Sequence, residues 1–444
     1  MPSGLEVEIP ADLTSRADGL TAVRTSLFQY QLTSAAALRC GLLLEPQRVA
    51  AEACDLPGLF NVAVPEDPSN PWQTVSGAVG TTPEAALIGA VAEGLERYAA
   101  AFVAAETRPR STIPAADRLD EAQFAGFSDE QLRRPDFPWA AQAQPDDLFA
   151  QVFGLLDNRS LWVPQEWVGL GPRVGQARLP STSSGLAAFR AVDGGPWMAI
   201  LRAAQELLER DALAATWLNG LGGRQIPLPA AWHEQVQARC GEAYAFDLTQ
   251  DWNPHPVVAV AGGIPQRGTA RCCLGIACRA TRDEAMQKAW LEWGQALTFA
   301  GFLKRTQSAK MPRQAEQLRR FDEHAVFYTL RPDLWSKTAL IAHRQPFAPV
   351  ERYAPPPAGA VDQLDRLVHQ LAAGGIDLYY RELTTPDVAA AGLHVMRVIS
   401  PQLTGLHADE RAPFLGGRCK DIRWRYGDAP RHTEFPNPLP HPLG

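Results

Sequence analysis

The word Glu-x-x-Glu-Arg occurs twice in this chain, as Glu93, Glu96 and Arg97 and again as Glu206, Glu209 and Arg210. Three helical residues turn through about 300°, so the two carboxylates of each word stand about 60° apart on one face and can aim at a common point. A third segment repeats the spacing with an amide, Glu292 and Gln295, and carries Lys288 one turn earlier. On a solvated helix, Glu93 with Arg97, Glu206 with Arg210 and Lys288 with Glu292 would be ordinary i,i+4 ion pairs worth about 0.2–0.5 kcal/mol each. The flanking residues weigh against that. AALIGAVA before Glu93 and AILRAAQELL around Glu206 are apolar on nearly all sides, so these helices are predicted to be buried. A buried carboxylate needs a paired charge or a cation, and repeated carboxylate pairs suit a hard cation such as Mg2+ with a phosphate. Residue chemistry alone leaves both readings open.

Competing chemistries find no support. There is no G-x-x-x-x-G-K-[ST], no G-x-G-x-x-G after a strand, no H-E-x-x-H and no G-x-S-x-G. The seven cysteines are scattered, and Cys272, Cys273 and Cys278 lack paired C-x-x-C spacing. RCCLGIACRA therefore reads as a buried strand with reduced thiols, not as a zinc site. The nine histidines are dispersed, and a lone one such as His324 or His343 is structural by default.

Each acidic helix must be positioned by what precedes it. All three follow a Gly-containing extended piece, and their starts are marked: Thr82 as cap with Pro83 and Glu84 behind it, and Thr281 with Glu284 at capping-box spacing. AYAFDLT, PVVAVAGG, IDLYYREL and LHVMRVIS are strand candidates between and after them. Alternation of strands and helices predicts an α/β (α+β) fold. Residues 1–72 read as a small strand-bearing lead-in and 73–444 as the main domain, with 105–180 and 305–360, richer in Pro, Arg and polar residues, as insertions or connections. The 444 residues, 46% hydrophobic, suffice for a large core. A net charge of -7 gives no global basic surface for nucleic acid. No apolar run reaches about 18 residues and the N-terminus lacks signal-peptide character, so the expectation is a soluble cytoplasmic protein with no membrane partner.

GTTPEAALIGAVAEGLERY resembles the first ATP-binding motif of the YcaO family, STSSGLAAF with AAQELLERDALAATW its second, and TRDEAMQKAWLEWGQ its third. AFDLTQDWNPHPVVAV and LYYRELTTPDVAAAGLHVMRVISPQL are similar to later family segments, in the same order, from about residue 70 to the end. The resemblance implies a YcaO-type fold of mixed sheets packed with long helices, and an ATP site without a Walker loop in which glutamates hold Mg2+ ions that hold the phosphates. By position, Glu93, Glu96, Glu206, Glu209 and Glu292 would be ligands of Mg2+ or its waters. Gln295 and Ser184 would contribute to the nucleotide site, and Arg97, Arg210 and Lys288 would neutralise phosphate or orient carboxylates. Ser184 stands where many members have Asn, and Val79 where many have Lys.

FLGGRCKDIRWRYG and the final PNPLPHPLG, with Pro436, Pro438, Pro440 and Pro442 at every second position, resemble azoline-forming members. Such a tail, at roughly 3.1 Å per residue, spans about 28 Å, enough to enter a cleft. The resemblance makes Pro440, Pro442 and Gly444 catalytic candidates, the carboxylate of Gly444 moving protons, with His407 or His441 a weaker choice. Loss of such a tail is expected to cost little stability. The activity implied is ATP-dependent cyclodehydration of Cys, Ser or Thr in a ribosomally made precursor peptide, giving thiazoline or oxazoline in a thiazole/oxazole-modified, microcin-like product. Lacking a leader-binding segment ahead of residue 70, the chain is expected to use a separate E1-like partner, with a flavin dehydrogenase acting afterwards and a homodimer as an assembly. The rivals are a thioamide- or amidine-forming member of the same family and a catalytically silent scaffold.

Overall fold

Three strands each run directly into a long helix, and these three steps organise the molecule. The computed structural model describes residues 31–32, 34–36, 41–65, 75–103, 106–139, 144–170, 180, 182–191, 194–266, 269–346 and 355–444. In the first step β1 (Gln47–Val49), β2 (Phe60–Pro65) and β3 (Val75–Gly80) form an antiparallel sheet, and β3 leads into α1 (Pro83–Phe102). The lead-in strands β1 and β2 thus share a sheet with the first strand of the main region. Thr82 caps α1 as its sequence suggests, its hydroxyl accepting the Ala85 N–H at 3.1 Å.

Residues 105–180, read from composition as an insertion, instead supply β4 (Thr107–Pro109), β5 (Leu148–Gly154) and β6 (Ser160–Pro164) to the largest sheet. Its order is β4-β5-β12-β13-β7, with β6 on β5, where β7 is Leu186–Arg190, β12 Tyr379–Glu382 and β13 Leu393–Ile399. Proline and arginine enrichment misled because strands at the margins of a sheet tolerate Pro, as in β4 and at the end of β6. From β7 the second step enters α2 (Gly195–Leu218).

The third step comes from the sheet β11-β10-β9-β8, comprising β8 (Arg224–Ile226), β9 (Glu242–Asp247), β10 (Val257–Gln266) and β11 (Thr269–Cys278). β11 feeds α3 (Arg282–Gln307), whose cap Thr281 accepts the Glu284 N–H at 3.2 Å. Strand pairs throughout are antiparallel, which places the molecule at the α+β end of its class. This last sheet is covered on both faces. Val257, Ala259, Leu274 and Ile276 pack toward α2, α4 (Phe321–Leu330) and α5 (Ala360–Ala373), while Val258, Val260, Cys273 and Ala277 pack toward α3. Double coverage explains the unbroken apolar texture of RCCLGIAC. Cys272, Cys273 and Cys278 are buried free thiols, and burial raises the Cys272 pKa to about 12. Cys40 lies outside the described residues.

α2 is the central helix, and a buried ion pair fixes it. Arg425 Nη2 donates to Asp211 Oδ1 at 2.6 Å and Nε to Oδ2 at 2.9 Å, while the same carboxylate accepts the Thr404 N–H and Gln250 Nε2. Every oxygen lone pair is engaged, the condition under which a buried pair holds its geometry. Among the described residues, no helix is long and apolar enough to cross a membrane.

α3 approaches its strand most closely at Gly275, where an added Cβ would lie 2.2 Å from the Trp293 nitrogen and 2.3 Å from the Ala289 oxygen. Both are backbone atoms that cannot turn aside. Gly275→Ala should force β11 and α3 apart at the turn carrying Glu292 and destabilise the protein by about 1–3 kcal/mol, read as a lowered melting temperature.

Candidate active site

The glutamates of both Glu-x-x-Glu-Arg words are seized by backbone N–H groups from strands packed beneath their helices. Glu93 Oε2 accepts from Gly77 of β3 at 2.8 Å, and Glu96 Oε2 from Ala188 of β7 at 2.6 Å. Glu206 Oε2 accepts from Gly185, in the turn before β7, at 3.1 Å, and Glu209 Oε2 from Cys278 at the end of β11 at 3.2 Å. The words are used alike. In each, the first glutamate takes a glycine N–H and pairs with the arginine four residues on, Arg97 to Glu93 at 2.6 Å and Arg210 to Glu206 at 3.3 Å. The second lies deeper on a strand.

α3 closes the group. Lys288 Nζ sits 3.1 Å from Glu292 Oε1, and a Cβ on Gly77 would stand 3.5 Å from Gln295 Nε2, which puts Gln295 beside the peptide that holds Glu93. The electrostatics join all five carboxylates. Burial, then Glu206 and Glu93, hold the Glu96 pKa well above the usual carboxylate range. Burial raises Glu209 to about 8, opposed by Arg210 and reinforced by Glu292 and Glu206. Glu93, Glu96, Glu206, Glu209 and Glu292 thus form one continuous acidic cluster where three helices meet.

Among the described residues, no three His, Cys, Asp or Glu side chains converge closely enough to hold a metal by themselves. With one oxygen of four glutamates committed to backbone, the protein offers single carboxylate oxygens spread along a seam. Such a donor set suits Mg2+, which binds through one or two carboxylates and takes its remaining ligands from water and phosphate. Arg97 and Arg210 orient carboxylates here. Ser184 is buried, its N–H donating to Thr182 Oγ1 at 3.1 Å. Gly185 after it has φ +79°, and a Cβ there would lie 2.2 Å from the Val398 oxygen, so only glycine can present this N–H to Glu206. Val79 is a buried β3 residue.

Sequence reasoning missed Arg397. Its guanidinium is buried on β13, with Nε donating to the Val168 carbonyl and Nη1 to the Ser184 carbonyl, both at 2.9 Å, and with Nη2 lacking a hydrogen-bond partner. Burial lowers its pKa to about 10, while Glu206 and Glu96 act in the opposite sense. A signal was available: Leu393, Val395 and Ile399 share its strand parity and are core residues, so a charge stands in an apolar register.

The proline-rich tail is docked, not free. Asn437 N–H and Nδ2 donate to the Leu218 and Trp217 carbonyls, Trp217 Nε1 donates to the Leu439 carbonyl at 2.7 Å, and Tyr328 Oη to that of Pro440 at 2.7 Å. The His441 carbonyl lies 3.0 Å from His324 Nδ1, and the two imidazoles stack at 4.1 Å with His407 edge-on. Pro440, His441, Pro442 and Leu443 are buried, while exposed Gly444 rests against Ala325 and the Phe321 carbonyl. The tail runs back from the end of α2 toward its middle, and Arg210 contributes to the lowered pKa of His441, after burial and the neighbouring histidines. Its buried side chains and satisfied carbonyls overturn the expectation that removal would cost little stability.

The model of the YcaO cyclodehydratase family, described as ATP- and Mg2+-binding, matches residues 77–404. No curated protein sequence matches the chain. Among solved structures, a heterocyclase in complex with substrate and cofactor is 18% identical with a TM-score of 0.71, over 90% of this chain and 55% of that one, so this chain spans about half its length. YcaO from Methanopyrus kandleri bound with AMPPCP and Mg2+ is 15% identical with a TM-score of 0.63, over 87% and 91%. The E. coli microcin synthetase McbBCD complex with pro-MccB17 bound is 15% identical with a TM-score of 0.59, over 91% and 98%. At these identities the likeness establishes the fold.

A carboxylate whose folded pKa is raised keeps a proton that the unfolded chain has released, so its contribution is present at low pH and lost as pH climbs through the folded value. For Glu209 that loss runs up to about pH 8, and Glu96 acts in the same direction. Without added cation, the melting temperature of the wild type should fall from about pH 5 to 8.5 relative to Glu209→Gln, which stays neutral. Parallel pH curves for the two proteins would contradict this.

Proposed function

We propose that this chain, which belongs to the YcaO family, cyclodehydrates Cys, Ser or Thr residues of a ribosomally made precursor peptide into thiazoline or oxazoline, using ATP and Mg2+ as cofactors. The observation that carries the reading is the meeting of three acidic helix segments in one cluster, four of whose glutamates are aimed by backbone N–H groups.

The chemical difficulty lies in the leaving group. When a side-chain thiol or hydroxyl attacks the preceding peptide carbonyl, the former carbonyl oxygen must depart, and hydroxide departs poorly. Bound with Mg2+, ATP supplies a γ-phosphoryl that converts this oxygen into phosphate. Glu93, Glu96, Glu206, Glu209 and Glu292 hold the cations, with Gln295 and Ser184 completing the nucleotide site. Arg97 and Arg210 keep Glu93 and Glu206 turned toward it, and Lys288 orients Glu292. Their part is positioning and charge stabilisation, not nucleophilic attack. Pro440 and Pro442 seat the tail, and the carboxylate of Gly444 accepts and returns the proton at the reacting amide. Docking of the tail on α2 and α4 supports this role.

Residues 73–444 form the catalytic domain and 1–72 its lead-in. The precursor is presented by a separate E1-like protein that captures its leader, and a flavin dehydrogenase can oxidise the azoline afterwards. The test is mass spectrometry of precursor peptide incubated with this protein, its partner and ATP. Loss of one water per ring is the expected result; sulfur gain or unchanged mass would favour the thioamide-forming or scaffold readings.

Glu93→Gln and Glu206→Gln should each nearly abolish ATP turnover and ring formation while leaving the fold intact, because the amide oxygen can still accept the glycine N–H. Normal turnover at saturating Mg2+ would refute the assignment. Deletion of residues 436–444 should abolish ring formation and lower the melting temperature, whereas residues appended after Gly444 should abolish ring formation with little thermal change. Full ring formation by the extended protein would remove Gly444 from the mechanism.

A further inference from the structure

We propose that Arg397 is the positioning residue of the nucleotide site, a buried arginine that clamps the Ser184–Gly185 turn from the strand side and so fixes Glu206. The inference rests on the reading of the glutamate cluster as a Mg2+-nucleotide site.

β13 grips that turn at two successive peptides. Arg397 Nη1 donates to the Ser184 carbonyl at 2.9 Å, and the N–H of Val398 donates to the Gly185 carbonyl at 2.7 Å. The turn's remaining donor, the Gly185 N–H, is the one that holds Glu206. Gly185 has no side chain with which to resist rotation, and its φ of +79° is one that few residues adopt. The orientation of that N–H is therefore set from outside, by Arg397 and Val398.

The second anchor, to the Val168 carbonyl, immobilises the guanidinium itself. Two fixed carbonyls engage Nε and Nη1, which leaves Nη2 buried and unpartnered, with its charge felt by both Glu206 and Glu96. Arg97 and Arg210 neutralise the first glutamate of each word from the helix side; Arg397 is a cation approaching from the sheet side, between the two words. Keeping a guanidinium 1% exposed carries a heavy desolvation cost. A core whose only requirement was apolar packing would place Leu or Met in this register, as at Leu393, Val395 and Ile399.

The experiment measures the Mg2+ concentration that half-saturates binding of a non-hydrolysable ATP analogue, with thermal melts of the same samples, for the unaltered protein, Arg397→Lys and Arg397→Met. Partners that orient metal ligands typically contribute about 10–100-fold to metal affinity, so Arg397→Met should raise the Mg2+ midpoint by that order. Arg397→Lys should fall between, since an ammonium keeps the charge but cannot span two carbonyls as a planar fork does. If only the Lys variant folds, its midpoint decides. Unchanged midpoints in the folded variants, or loss of the fold in both, would overturn the proposal and leave Arg397 a core ion. Absence of Mg2+-dependent binding by the unaltered protein would instead overturn the nucleotide reading itself, and the role of Arg397 with it.

Discussion

Five carboxylates gathered where three helices meet repel one another, and much of this architecture exists to hold them there. Like charges in a partly desolvated site are tolerated only if hydrogen bonds and opposite charges answer them. The answer comes in layers. Backbone N–H groups from Gly77, Ala188, Gly185 and Cys278 each take one oxygen, and Arg97, Arg210 and Lys288 face four of the carboxylates directly, Arg210 reaching both Glu206 and Glu209. What remains uncompensated appears as the raised pKa values of Glu96 and Glu209, the deep members of their words.

The requirement for backbone donors dictates how strands and helices join. A strand can offer a free N–H to a side chain only along an unpaired edge or where its ladder ends or turns, and the donors lie at such places: Gly77 and Ala188 on the edge strands β3 and β7, Gly185 in a left-handed turn, Cys278 on the last residue of β11. The helices must in turn lie close on those strands. Gly275 lets α3 touch β11 backbone to backbone, and the Asp211–Arg425 pair ties α2, beside Arg210, to the segment that follows β13. The repeated word is thus a repeated way of suspending two carboxylates, one toward an arginine and one toward a strand.

The tail extends the same helix to a second use. Trp217 at the end of α2 receives it, Tyr328 and His324 of α4 hold its carbonyls, and the chain runs back toward Arg210. Proline lacks an N–H, so the tail's carbonyls are its principal hydrogen-bonding groups, and side chains from two helices satisfy them. One helix therefore carries the second glutamate word on one stretch and seats the C-terminal segment on another.

The amino-acid sequence by itself determined the acidic words, their helical phase, the caps at Thr82 and Thr281, the buried strand around Cys273 and the family, because each is a local pattern of spacing and residue type. It did not reveal that residues 105–180 supply β4, β5 and β6, since β4 and β6 are sheet-margin strands containing proline that look like connections until their partner β5 is known. Nor could it place the donors. Gly77, Gly185, Ala188 and Cys278 are unremarkable as letters, and they matter through N–H vectors fixed by strands far away in the chain. Arg397 was visible only as a charge out of register, and its partners Val168 and Ser184 lie 229 and 213 positions away. Where a peptide dipole points is a property of the folded backbone, so the tertiary structure alone decided how the carboxylates are held and what stands behind them.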